Sequence, residues 1–290
     1  MKQFSILIPS WNNLDFLKLC IESIREHSAC DHQIIVHVNE GIDGTLEWVK
    51  EQGLDYTYSA RNIGVCLSMN MMRTKVKTDY ICFLNDDMYV LPGWDTALAE
   101  EIERLPDNLF FLSATTIQPH TPADSIIVAD YGDTVQNFDK ERLLAEYKSL
   151  PLNDWMGATM PPNVVHRDLW DLVGGYSVEL TPGMYSDPDF TAKLWLCGVR
   201  YMKGLSASRV YHFESKSTGK VKKNPGHAQF LMKWGLTSST FRRLYTYRGQ
   251  DFAPELIGHP EEGSRLQRHV LRGRLKALWY ILRGTFRPII

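Results

Sequence analysis

The chain has 290 residues, 44% hydrophobic and 23% charged, with a formal net charge of −2. That balance excludes a disordered chain, and no apolar run reaches the roughly 18 residues that a membrane-spanning helix needs. The small net charge hides an asymmetry: residues 1–199 hold 14 Lys/Arg against 29 Asp/Glu, and residues 200–290 hold 18 against 5, so the C-terminal third is suited to face something anionic.

The opening MKQFSILIPS has too short an apolar core for a signal peptide and runs straight into a strand pattern. Phe4–Ile8 reads as a buried strand stopped by Pro9. Leu14, Leu17, Ile21 and Ile24 follow at helical spacing, with Asn13 as the expected N-cap. Gln33–Val38 is a second strand, Thr45–Glu51 a short helix, Tyr56–Ser59 a third strand, Val65–Met72 a helix, and Tyr80–Leu84 a fourth strand. This alternation predicts an α/β domain with a mostly parallel, Rossmann-like sheet flanked by helices. Ligands of such sheets bind beyond the carboxyl ends of the strands. Those ends are polar here: Ser10-Trp11-Asn12, Asn39-Glu40, Arg61-Asn62 and Asn85-Asp86-Asp87. After a strand at Phe110–Thr116, residues 118–153 are turn-rich and read as an irregular excursion. Order returns with Trp155–Ala158, Val164-Val165, a helix from Asp168 to Val173, and a Gly174-Gly175 stop.

The five cysteines are odd in number, widely spaced and without a C-x-x-C, which reads as reduced thiols, not a disulfide frame or zinc site. No G-x-G-x-x-G follows the first strand, which argues against Rossmann-type dinucleotide binding. Nucleic-acid binding has no motif to support it.

The chemistry is concentrated in two acidic stretches. FLNDDMYV ends an apolar run in Asp86 and Asp87, a pattern suited to a hard divalent cation, Mn²⁺ or Mg²⁺, with a solvated turn as the alternative. Tyr185-Ser186-Asp187-Pro188-Asp189-Phe190 precedes a helical stretch, so Asp187 reads either as a helix cap or as a general base.

From Phe4 to about His212 the order of these elements resembles a family 2 glycosyltransferase of the GT-A fold. The resemblance rests on the strand-loop ILIPSWNN and on Asn39-Glu40-Gly41-Ile42-Asp43-Gly44-Thr45. It rests also on Arg61-Asn62-Ile63-Gly64 with Asn70 further on, and on the D-x-D-like Asn85-Asp86-Asp87. The usual strand-two aspartate is Asn39 here, and Ser186 replaces a glutamate before the base. The resemblance implies an inverting, metal-dependent transferase of bacterial polysaccharide or glycolipid type, with a nucleoside-diphosphate sugar as donor, UDP favoured. Its acceptor would be a glycan or lipid-linked glycan. It places the metal on Asp87 and His212, and the donor on Pro9, Trp11, Asn12, Asn39, Arg61, Asn62, Asn85 and Asp86. The acceptor falls on Trp155 and Gly157, and the base on Asp187, with Asp189 as runner-up. The catalytic domain would span 1–215, with a nucleotide-sugar half (1–115) and an acceptor half (116–215), followed by a basic, helical extension at 216–290. Competing readings are a sugar-nucleotide nucleotidyltransferase, which lacks its expected glycine-rich loop here, and an inactive sugar-nucleotide-binding membrane adaptor.

The basic loop Lys216, Lys220, Lys222 and Lys223 could close over a diphosphate. At 100° per residue, Leu271, Leu275, Leu278, Trp279, Leu282 and Phe286 form one stripe. Arg265, Arg268, Arg272, Lys276, Arg283 and Arg287 lie on its flank. Such a helix over 264–287 suits an anionic membrane surface, and predicts a cytoplasmic enzyme held peripherally at the inner face of the cell membrane.

Overall fold

A computed structural model describes residues 2–215 and 223–284. Its first elements are β1 (Phe4–Trp11), α1 (Leu14–His27), β2 (Gln33–Asn39), α2 (Thr45–Glu51), β3 (Asp55–Ser59), α3 (Gly64–Arg73), β4 (Tyr80–Phe83) and β5 (Met88–Val90). Strand and helix alternate as the sequence pattern predicts. β1 runs past Pro9 because ladder pairing to β2 continues as far as Trp11 opposite Asn39. Asn13 precedes α1, but its side chain makes no capping bond.

The chain continues through α4 (Trp94–Arg104), β6 (Phe110–Gln118), β7 (Ile126–Val128), α5 (Lys140–Glu146), β8 (Trp155–Met156), β9 (Asn163–His166), α6 (Arg167–Leu172) and α7 (Ser186–Leu196). It ends with β10 (Tyr201–His212), α8 (Gly226–Trp234), α9 (Ser238–Leu244) and α10 (Ser264–Leu282). The stretch expected to be irregular is ordered. It carries β7, parallel to β6, and α5. Tyr131, Leu143 and Tyr147 pack there with Tyr89, Tyr211 and Phe213. Aromatic packing of this kind has neither a 2- nor a 3.6-residue period, so the pattern of the sequence does not show it.

The sheet order is β3-β2-β1-β4-β9-β6-β10-β5. β3, β2, β1 and β4 are mutually parallel, which brings their four polar ends to one edge. Alternation of side chains divides the core between the faces. Ile6 and Ile8 pack toward α1 and α4, whereas Leu7 packs toward α3, α6 and α7. β5 runs antiparallel to β10, with Met88 opposite His212, so the Asp86-Asp87 turn lies against the end of β10.

The C-terminal helices pack on one another, with α9 also against α7. α10 sits on α8 through Ala277 and Tyr280, which meet Ala228 and Leu231. Those residues lie opposite the leucine stripe. Lys216, Lys220, Lys222, Phe286 and Arg287 fall outside the described residues.

Trp155 is a core residue, not the acceptor platform that the resemblance implied. It is 3% exposed, and its indole N–H donates to Thr115 Oγ1 at 3.1 Å. The ring covers Gly204, where a Cβ would overlap the indole. Gly204→Ala should therefore overpack β10 and cost about 1–3 kcal/mol, read as a lower urea midpoint. An unchanged midpoint would mean that Trp155 is free to move.

Candidate active site

Asp86 and Asp87 stand in the turn between β4 and β5, 9% and 6% exposed. Burial and the adjacent charge of Asp87 both raise the Asp86 carboxyl. Burial also opposes the charge on Asp87, but His212 and Ser215 hold that group below the usual carboxylate range. Asp87 Oδ2 lies 3.4 Å from His212 Nε2 and accepts the Ser215 N–H at 2.9 Å. His212 Nδ1 is 3.1 Å from Gln118 Oε1, an acceptor that fixes the proton on Nδ1 and turns Nε2 toward Asp87. Glu214, at φ +54°, accepts the N–H groups of His120 at 2.9 Å and Thr121 at 3.2 Å, tying the end of β10 to the end of β6.

This corner fits a divalent cation. Its donors are carboxylate and imidazole, and the two acids lie too close for both to be charged without a counterion. Ser10 and Asn13 turn polar side chains toward Asp86, and Ser215 toward Asp87, each favouring a charged carboxylate. The Cys30-His32-Asp95 cluster is a different matter. His32 Nδ1 accepts the Phe4 N–H at 3.1 Å, and Asp95 takes the Ala29 N–H at 2.7 Å and faces His32 Nε2 at 3.1 Å. Its ligand atoms are already used in holding β1 to α4.

One cleft of about 270 Å³ joins the acidic corner to α7, bringing Asp86 and His212 into the same cavity as Asp187. Asp187 lies in the first turn of α7 but does not cap it; Tyr185 is the N-cap residue. The side chain is half-buried, and burial pushes its carboxyl up to about 6. The Tyr176 hydroxyl, donating to Oδ1 at 3.1 Å, and the charge of Arg248 moderate the rise. Tyr176 is itself fixed: it stacks on Phe190 with centroids 4.8 Å apart, and Asn70 brackets its main chain with two hydrogen bonds of 2.8 Å. Asp189, the runner-up, points away from the cleft. It is fully buried, 3.0 Å from Lys233 Nζ, and accepts from Ser177 Oγ at 2.6 Å and Trp234 Nε1 at 2.8 Å.

Of the residues that the resemblance gave to the donor, Pro9, Trp11, Asn39, Asn62, Asn85 and Asp86 line the cleft. Asn12 borders a neighbouring cavity instead, and Arg61 is exposed outside the lining. Gly157 is also off the cleft. At φ +81° it lets the backbone at Arg248 approach, where a Cβ would come within 2.8 Å. Sequence reasoning missed Glu40, Gln118 and Tyr176 as site residues. Glu40 accepts from Trp11 Nε1 and Asn12 Nδ2, both at 2.9 Å, and from the Asn62 N–H at 3.4 Å. It joins three strand-end loops. Gly64, at φ +75°, allows Pro182 to lie where a Cβ would come within 2.6 Å, so the loop before α7 seats on the start of α3.

Residues 5–144 match the model of glycosyl transferase family 2. The fold is that of GT-A glycosyltransferases, and the N-terminal half of the chain carries the family 2 pattern. The structure of S. aureus TarS 1–349 is similar at 14% identity, with a TM-score of 0.59, over 97% of this chain and 73% of that one. The same protein in complex with UDP-GlcNAc is similar at 13% identity and a TM-score of 0.58, over 95% of this chain and 71% of that one. GalNAc-T7 with UDP, GalNAc and Mn²⁺ is similar at 14% identity and a TM-score of 0.59; the match covers 98% of this chain and 56% of that one. No curated protein sequence matches.

A hydroxyl that donates to the charged carboxylate favours ionisation. Tyr176→Phe should therefore raise the pKa of Asp187, moving the acid limb of the pH–rate profile up by about one unit. An unmoved limb would show that Tyr176 does not tune this group.

Proposed function

We propose that the protein transfers a sugar, with inversion, from a nucleoside-diphosphate sugar, UDP favoured, to a hydroxyl of a glycan or lipid-linked glycan. The observation that carries this reading is that the acidic corner and Asp187 open into one cleft. The family 2 match and the nucleotide-sugar ligands of the similar structures support it.

In this reading Trp11, Asn39 and Asn62 surround the nucleotide, beside Pro9, and Asp86 meets donor hydroxyls. Asp87 and His212 would hold Mn²⁺ or Mg²⁺, which when bound offsets the charge on the departing diphosphate. Asp187 takes the proton of the acceptor hydroxyl as its oxygen bonds to the anomeric carbon, and the bond from that carbon to the diphosphate oxygen breaks. A base must be deprotonated to act. With the Asp187 carboxyl pushed up to about 6, kcat/KM should rise with pH through that value and flatten above it. Asp87→Asn should abolish Mn²⁺-dependent UDP binding with the fold intact. Asp187→Asn should keep UDP binding and lose transfer by about 100-fold or more. Calorimetry with UDP and Mn²⁺ and a transfer assay separate the two roles. Undiminished UDP binding by Asp87→Asn, or undiminished transfer by Asp187→Asn, would overturn the respective assignment.

The second part of the proposal is a seat for the enzyme at the inner face of the membrane. No described helix is long and apolar enough to cross a bilayer. On α10, however, Leu271, Leu275, Leu278 and Leu282 are 58%, 59%, 53% and 77% exposed, while Gly273 and Tyr280 face the protein. Arg265, Arg268, Arg272, Lys276 and Arg283 are exposed on the same helix. An apolar stripe edged by basic residues matches an anionic bilayer in polarity and charge. Replacing Leu275, Leu278 and Leu282 together with Gln should weaken binding to phosphatidylglycerol vesicles by about tenfold or more, with UDP affinity unchanged. Equal vesicle binding by the variant would reject this face.

A further inference from the structure

A second cavity of about 320 Å³ adjoins Asp187 and is lined by neither Asp86 nor His212. It shares Asp187 and Met160 with the donor cleft, and Tyr185, Ser238, Arg242 and Arg248 complete its wall. Arg242 belongs to α9, and the Arg248 N–H returns to the Arg242 carbonyl at 2.9 Å, so one short stretch of chain sets both guanidinium groups. Gly157 makes room for that stretch. The Nε atoms of both arginines are buried without a hydrogen-bond partner among the described residues. Arg248 Nη2 touches only a weak acceptor, Met160 Sδ, at 2.6 Å. Burial and the like charge of Arg242 push Arg248 down to about 10, against the weaker opposing influence of Asp124 and Asp187.

Two like charges, partly enclosed and without a carboxylate in ion-pair contact among the described residues, are costly to keep in a folded protein. An anionic ligand removes that cost. The planar fork of guanidinium matches the paired oxygens of phosphate and carboxylate. The cavity also adjoins the group read above as the base, so the molecule that fills it presents its hydroxyl to Asp187.

We propose that Arg242 and Arg248 form an oxyanion subsite for the acceptor. The hydroxyl activated by Asp187 then sits on a molecule that carries a phosphate or carboxylate within reach of the arginine pair. This deepens the transferase reading and rests on its assignment of Asp187. It also gives a use to the positive charge of the C-terminal third that the membrane-facing helix leaves unexplained, since neither arginine is on α10.

The test uses the full chain, with glycerol 1-phosphate and glucuronate as probes and glycerol as the neutral control. Each is titrated calorimetrically with and without saturating UDP and Mn²⁺. One of the two anions should bind in the presence of UDP while glycerol does not, and the preferred anion identifies the acceptor group. Arg242→Gln and Arg248→Gln should each weaken that binding by about tenfold or more, at unchanged UDP affinity, which also shows that the variants are folded. Asp187→Asn should bind the anion at least as well as the parent, because a negative charge beside the site is gone. If neither anion binds, or if the arginine variants lose UDP as strongly as the probe, the subsite proposal fails. If UDP does not bind the parent chain, the donor reading fails, and the arginine pocket is judged on the titration without UDP.

Discussion

Adjacent carboxylates at the mouth of a buried strand repel one another, and the surrounding structure has to manage that charge. β4 delivers Asp86 and Asp87 to the sheet edge, and β5 turns back at once to pair with β10, whose last residue is His212. Gln118 at the end of β6 orients the imidazole. Glu214 takes a positive φ to bind the loop after Gln118. Three strands therefore end where they do in order to enclose one pair of acids. The acids in turn make the corner a buried, acidic end of the cleft.

Asp187 is placed by a different chain of contacts, and it begins on α3. Asn70 on α3 grips the backbone of Tyr176, and Tyr176 holds Asp187 by its hydroxyl. The contact of Gly64 with Pro182 sets the loop before α7 on the same helix. The strand-end rim of the cleft and Asp187 thus share one support, which fixes their separation.

Much of the first 90 residues was legible because period and polarity agree there: apolar strands end in polar residues, and parallel pairing turns those ends into a rim. The motif residues Trp11, Asn39, Asn62 and Asp86 fall on that rim for the same reason. The burial of Trp155 was not legible because a tryptophan carries no sign of whether it faces a ligand or a neighbouring strand. Asp189 could not be told from Asp187 in sequence. Only Lys233, 44 positions later, shows which of the two is neutralised in the core. The arginine pair was invisible as well, since Arg242 and Arg248 come near Asp187 through the packing of α9 on α7. The leucine stripe on α10 was read correctly as a face but said nothing of the opposite one, where Gly273, Ala277 and Tyr280 make the contact with α8.

β9 sits in the middle of the sheet, antiparallel to β4 on one side and to β6 on the other. Its residues, Asn163–His166, come some 80 positions after the strand they join. While the ribosome is still making that intervening stretch, β4 and the fully buried β6 each present an unpaired apolar edge, the kind of surface that recruits other chains. The segment matching the family model stops at residue 144, before the strand that joins β4 to β6. It is a unit of sequence similarity but not a unit of folding. The edges of β4 and β6 are therefore covered only once β9, and after it β10, has been made.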